Sequence, residues 1–285
     1  MPAPLASPIS RVGAFNAVAP RDPARRVVAG APYGPDRMQA LDVYAPIEAD
    51  APAPVAIFFH GGGWQTGRRQ EYGFVGRALA SRGFLAVVAG YRLVPWVRYP
   101  AFLEDAAAAA RWASENALAH GGDPARLAFV GHSAGAYIAL QLGLDVRYLS
   151  HAGVEPSCVR AVAGLSGPYS FLPLESPMTL AAFSAAPDLQ ATQPVNHARA
   201  DAPAALLVHG GRDMSVGAGQ SVRMGRALEA AGAKAEVRIF QTLSHSDTVL
   251  ALSRPFRSKA PILDELSGFL KAHLGSAASQ GAGAV

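Results

Sequence analysis

Two rhythms of apolar and polar positions alternate along the chain. Continuous apolar runs of strand length occur at PVAIFFH (54–60), GFLAVVAGYR (83–92), RLAFVG (126–131), VRAVAGLSG (159–167) and AALLVHG (204–210). Such runs mark strands covered on both faces. Between them lie segments with helical spacing: one near 70–82, PAFLEDAAAAARWASENA opened by Pro100, about 134–145, GAGQSVRMGRALEAAG closed by Gly232, and APILDELSGFLKAHL. Two short strands, RRVVAG and MQALDVYAP, precede the series across the turn signal Tyr33-Gly34-Pro35-Asp36, and AEVRIF adds a strand near the end. Buried strands alternating with helices predict an α/β fold with a mostly parallel, doubly wound sheet flanked by helices.

Three stretches break the alternation. Residues 1–24 are rich in Pro and Ala and read as an arm lying on the body, and 275–285 read as a disordered tail. Residues 168–203 form an irregular insertion, too long for a simple connection, which reads as a small lid. One domain over 25–274 accounts for the rest.

Composition narrows the function classes. With 50% hydrophobic and 16% charged residues over 285 positions, the chain buries a full-sized core. Its net charge of +4 is scattered, which argues against a nucleic-acid partner. No window is long and apolar enough for a membrane span, and the start lacks a signal-peptide pattern. The expectation is a cytoplasmic monomer or homodimer, with a removed secretory signal left open. The single Cys158 makes no internal disulfide and reads as a core thiol.

The chemistry centres on LAFVGHSAGAYIAL (127–140), where a strand breaks into Gly131-His132-Ser133-Ala134-Gly135 and a helix follows. A serine is a weak nucleophile until a base takes its proton and a carboxylate orients that base. G-x-S-x-G at a strand-to-helix junction lifts the hydroxyl clear of the sheet. Ser166 in GLSGPYS is a rival, but Pro168 stands where the second glycine should be and no helix follows. Of eight histidines, His245 lies in the loop between the last strand and the last helix, whereas His60 and His209 end strands and His132 faces away if Ser133 faces up. Asp213 follows a buried strand and is the candidate acid; Asp247, only two residues from His245, reads as a helix cap. The N–H of Ala134 and the Gly-rich run HGGGWQTG (60–67) are candidate donors to a developing oxyanion. No Gly-Lys-Ser/Thr follows that run, so it is not a P-loop, and no metal-ligand spacing is present.

With LDVYAP, HGGGW, YRLVPWVRYPAFLEDA, GGDPARLAFVGHSAGAYIAL, HGGRDMSV and SH in this order, residues 25–272 resemble the α/β-hydrolase superfamily. The resemblance is to carboxylesterases related to the hormone-sensitive-lipase group and to feruloyl-esterase-like and arylformamidase-like enzymes. It implies Ser133 as nucleophile, His245 as base and Asp213 as its partner. It further implies an oxyanion hole at Gly62, Gly63 and Ala134, Trp64 on the pocket wall, His60 bracing the Gly-rich loop, a structural Asp105, and no cofactor. The implied activity is hydrolysis of small to medium acyl or aryl esters, with formamide hydrolysis as the alternative and a non-catalytic binding protein as the other class. Trp64, Tyr91, Trp96, Tyr169 and Phe171 are open to two readings, as pocket lining or as packing.

Overall fold

Each apolar run contains a strand, and all of these strands join one sheet. The structure, a computed structural model, describes residues 11–275. Among these residues the strands are β1 (Arg25–Pro32), β2 (Ala40–Ala45), β3 (Ala53–Phe59), β4 (Leu85–Ala89), β5 (Gly122–His132), β6 (Val159–Leu165), β7 (Ala204–Gly210) and β8 (Ala235–Phe240), in the order β1-β2-β4-β3-β5-β6-β7-β8. β2 runs antiparallel to β1 and β4, and every other neighbouring pair is parallel.

The helices are α1 (Arg11–Val18), α2 (Gly73–Ala80), α3 (Ala101–Asn116), α4 (Ala134–Leu144), α5 (Val146–His151), α6 (Pro177–Phe183), α7 (Gly219–Ala230), α8 (Asp247–Leu250) and α9 (Ile262–Leu274). They cover both faces of the sheet. Along β3 the side chains of Val55, Ile57 and Phe59 enter one core with α3, α4, α5 and α7, while Ala56 and Phe58 enter the other with α2 and α9. The alternation is the period of two that a strand imposes. α4 is buried at every residue, which is why its sequence lacks a polar face.

Chain order decides where a site opens. From β3 the chain winds outward to β4, then returns past β3 to β5, so the winding reverses between β3 and β5. Loops leaving two adjacent strands diverge at such a reversal and open a crevice at their carboxyl ends. The Gly-rich run after β3 and Ser133 after β5 are therefore neighbours.

Two expectations about the irregular stretches change. Within 1–24, residues 11–18 form α1, and Asn16 takes the N–H of Phe74 at 2.8 Å while Phe15 packs edge-on against the Phe74 ring. Residues 1–10 of that arm, and the tail from 276 onward, lie outside the described residues. The 168–203 insertion is bolted to the body. Gln220 Oε1 accepts the N–H groups of Tyr169 and Ser170, Gln193 Oε1 accepts that of Phe171, and Tyr137 on α4 donates to the Thr192 carbonyl. Phe183 of α6 is fully buried among Trp64, Phe102 and Tyr137.

Candidate active site

β5 ends in a sharp turn. Ser133 adopts φ 55° and ψ −121°, and α4 starts at the next residue. A residue with a Cβ enters this left-handed region at a cost of about 1–3 kcal/mol. The flanking glycines supply the room that this turn needs. A Cβ on Gly131 would lie 2.0 Å from the Gly135 carbonyl oxygen, and one on Gly135 would lie 2.0 Å from that of Phe59. β3, β5 and α4 thus approach as closely as bare backbone permits.

The turn brings Ser133 Oγ to 2.9 Å from His245 Nε2, and His245 Nδ1 lies 2.7 Å from Asp213 Oδ2. Asp213 is itself fixed: its Oδ1 accepts the N–H groups of Ser215 and Val216 at 2.9 and 2.8 Å, and His209 Nε2 stands 3.3 Å from its Oδ2. Burial works to raise the Asp213 carboxyl, but hydrogen bonds from His209, His245 and Val216 outweigh it and hold the group well below the usual carboxylate range. An ionised Asp213 accepts the Nδ1 proton of His245. Nε2 is then free of a proton and accepts the Ser133 hydroxyl. The arrangement can carry a proton from Ser133 to His245.

The Gly-rich loop lies against the serine. A Cβ on Gly61 would sit 3.1 Å from Ser133 Cβ, and Gly62 and Gly63 hold φ values of 122° and 60°. Gln65 and Thr66 turn their N–H groups back onto the Gly62 carbonyl. His60 braces the loop: its ring stacks on Tyr91 at 4.4 Å, its Nδ1 meets the Gly61 carbonyl, and its own carbonyl accepts the Tyr91 hydroxyl. Asp105, on α3, binds Arg92 and Gln39, as a structural carboxylate does.

A cleft of about 350 Å³ opens at Ser133. Its lining includes Gly63, Trp64, Ala134, Phe171, Met178, Ser215, Val216 and Gly217. Of the five aromatic residues open to two readings, Phe171 and Trp64 touch this cleft, but Trp64 is only 2% exposed and its ring packs in the core against Phe102, Tyr137 and Phe183. Tyr169, expected in the substrate pocket, does not: it is fully buried, its hydroxyl packed where a Cβ on Gly164 would fall only 1.9 Å away. Gln220 holds the main-chain N–H of Tyr169, and the ring lies against Gly164 of β6. Tyr91 is buried beneath His60, and Trp96 is 86% exposed without lining the cleft.

Two further expectations, those for Asp247 and Cys158, are corrected. Asp247 is not a simple cap; it takes the N–H and hydroxyl of Ser244 and pairs with Lys259, so it ties down the loop that carries His245. His132 faces away from the hydroxyl of Ser133, yet its ring centre is 5.0 Å from that of His245. Cys158 is only partly buried, at the start of β6. Sequence reasoning missed His209, Gln193, Gln220 and Thr248, whose roles rest on particular side-chain contacts and leave no periodic trace. No group of three or more His, Cys, Asp or Glu among the described residues is placed to hold a metal ion, and none of their helices is long and apolar enough to cross a membrane.

Two of the buried histidines beside the site, His60 and His132, give a pH prediction. Burial lowers His60 to about 4, and burial together with nearby His245 lowers His132 to about 3. Both values lie below that of the unfolded chain, about 6.5. Their contribution to stability is therefore full above about pH 6.5 and is lost as the pH falls toward the folded values. Between pH 7 and pH 5 the loss is about 2 kcal/mol for each. Denaturant midpoints at the two pH values should show it, and His132→Gln should remove about half of the difference. An unchanged midpoint would contradict neutral burial.

Comparison with known proteins places this geometry in context. The BD-FAE family model matches residues 41–228. A probable isoprenylcysteine alpha-carbonyl methylesterase of Oryza sativa subsp. japonica is 30% identical over 248 residues, covering 79% of this chain and 59% of that protein. Carboxylesterase NlhH of Mycobacterium tuberculosis is 44% identical over 108 residues, 36% of this chain and 34% of the relative. The chain spans about three fifths of the length of the plant relatives it matches. Among solved structures, a truncated carbohydrate esterase from gut microbiota superposes with a TM-score of 0.75 at 21% identity, covering 89% of this chain and 97% of the other. A thermostable esterase from Pseudomonas putida ECU1011 gives 0.73 at 23%, covering 93% and 88%. At these identities the likeness is one of fold, and the fold is that of α/β-hydrolases.

Proposed function

Since this chain belongs to the BD-FAE family, we propose that it is a serine carboxylesterase acting on small to medium acyl or aryl esters through an acyl-enzyme. The observation that carries the reading is the continuous path Ser133 Oγ, His245 Nε2, His245 Nδ1, Asp213 Oδ2, with links of 2.9 and 2.7 Å. Ser133 Oγ attacks the ester carbonyl carbon while His245 Nε2 takes its proton, and Asp213 stabilises the imidazolium that forms. The negative charge that develops on the carbonyl oxygen meets the N–H groups of Gly62, Gly63 and Ala134, at the positive end of α4. His245 returns the proton to the leaving alkoxide. The alcohol departs, and the acyl group remains on Ser133. Water then attacks the acyl carbon, giving its proton to His245, and collapse releases the acid and restores the Ser133 hydroxyl.

Similarity to a methylesterase and a carboxylesterase favours an ester over a formamide substrate. Hydrolysis of p-nitrophenyl esters measured beside N-formylkynurenine tests that preference. A turnover confined to the formamide would overturn it.

The leaving oxygen must lie beside His245, so the acyl group extends toward the apolar lining of the cleft at Trp64, Phe171 and Met178. This face of the 168–203 insertion acts as a fixed wall. The Met178 thioether covers Gly63, where a Cβ would meet its sulfur at 2.1 Å. Met178→Ala and Phe171→Ala are therefore expected to change the ratio of kcat/KM between p-nitrophenyl acetate and p-nitrophenyl octanoate by about 10-fold, in line with about 1–3 kcal/mol per methylene-sized contact. Equal losses on both esters, with a lower Tm, would mean that these side chains serve packing alone.

A further inference from the structure

Ser166 leaves β6 with φ 53°, a strain matching that of Ser133 at the end of β5, and its side chain is fully buried. No step of acyl transfer uses it. Its Oγ lies 3.0 Å from Oγ1 of Thr248, which is also fully buried, and Thr248 Oγ1 donates to the main-chain carbonyl of His245 at 3.0 Å. A threonine hydroxyl has one proton. With that proton given to His245, Thr248 receives one from Ser166, so the chain of donation runs from Ser166 through Thr248 to His245. The same carbonyl is reached at 3.0 Å by His132 Nε2, from the end of β5. A carbonyl accepts only donors, so His132 carries its proton on Nε2. Its Nδ1 is buried without a partner.

We propose that His132, Ser166 and Thr248 are positioning residues that fix the main chain at His245, and through it the imidazole, by two hydrogen bonds to one carbonyl. The inference rests on the esterase reading of Ser133. Its physical reason is that the bonds to the ring itself change during turnover. Once Ser133 Oγ carries the acyl group, its proton no longer bridges to Nε2. The ring is then held by Asp213 and by its own backbone while water must be aligned against the acyl carbon. His245 sits in the loop between β8 and α8, where no strand or long helix holds it. Anchors from the ends of two adjacent parallel strands, β5 and β6, supply the missing rigidity. The strain at Ser166 has a role on this account, because unfavourable backbone geometry persists where surrounding structure enforces it for a purpose. Displacement of a reacting group by about 1 Å lowers rates by roughly 10²-fold. Loss of one of two anchors should fall short of that.

The test uses the full chain carrying His132→Phe, Thr248→Val or Ser166→Ala, with His132→Gln and Thr248→Ser as variants that retain a donor. Four quantities are read: Tm, kcat and KM on p-nitrophenyl acetate, and the rate of labelling of Ser133 by a fluorophosphonate. His132→Phe and Thr248→Val should lower kcat about 10-fold with KM within about twofold, and labelling, during which Ser133 still bridges to Nε2, should slow by less. Ser166→Ala, which removes only the outer donor, should lower kcat about threefold. His132→Gln and Thr248→Ser should recover most of the rate. If Thr248→Val does not fold, Ser166→Ala with the two donor-retaining variants decides the question. Unchanged kcat and labelling in folded variants, or equal losses in the donor-retaining and donor-lacking variants, would overturn the proposal while leaving the esterase reading intact. A wild-type chain that the fluorophosphonate does not label would overturn both.

Discussion

Ser133→Ala is expected to fold as the wild type does and to lose about 10⁶-fold in kcat on p-nitrophenyl acetate. The nucleophile has no substitute nearby. Ser166 is fully buried with its hydroxyl engaged by Thr248, and Ser215 follows Asp213 in the lining of the cleft. What remains after the substitution is the rate enhancement from binding and oxyanion donors alone. Thermal unfolding should be little changed or slightly raised, because alanine relieves no buried contact while the strain at φ 55° persists. Turnover within about 10-fold of the wild type would exclude Ser133 as nucleophile.

Asp213→Asn should be the next most damaging change, with kcat lower by about 10⁴-fold. The geometry explains why an isosteric replacement is so costly. Oδ1 of Asp213 is held by the N–H groups of Ser215 and Val216, so an asparagine would keep its oxygen there and present its NH₂ to His245 Nδ1. A donor facing Nδ1 favours the tautomer with the proton on Nε2, which cannot accept from Ser133. Asp247→Asn changes only the anchoring of the loop through Ser244 and Lys259, and should cost about 10-fold or less, as loss of one exposed ion pair and a local hydrogen bond does. Steady-state kinetics of the two variants side by side checks the assignment. A larger loss for Asp247→Asn would transfer the orienting role to that residue.

How much of this was legible in the sequence depends on the kind of interaction involved. β3, β5, β6 and β7 announce themselves as apolar runs because strands covered on both faces need no polar side, and the strand boundaries at 204–210 and 235–240 coincide with those read from pattern. The meeting of Ser133, Asp213 and His245 could be anticipated because each follows the carboxyl end of a strand in a parallel sheet, where loops converge. α1 was missed because its eight residues carry no apolar stripe. Its place depends on Phe15 and Asn16 finding Phe74 and Gln70 far along the chain. Tyr169 was misplaced for a similar reason. An aromatic residue after a strand can face a cleft or the core, and here the ring fills the space left bare by Gly164 and Gly167. The elbow shows a subtler limit. Two glycines around a serine signal a sharp turn, but only the close approach of Gly135 to the Phe59 carbonyl shows that they are required for space.

The central claim is that Ser133 is the residue activated for attack. Exposure of the wild-type chain to a fluorophosphonate, followed by digestion and peptide mass spectrometry, tests it most directly, because the phosphorus reagent stops at the first covalent step and marks the attacking oxygen. A single adduct on Ser133, abolished in His245→Ala, is the predicted result; an adduct on Ser166 or another residue, or no adduct at all, would contradict it.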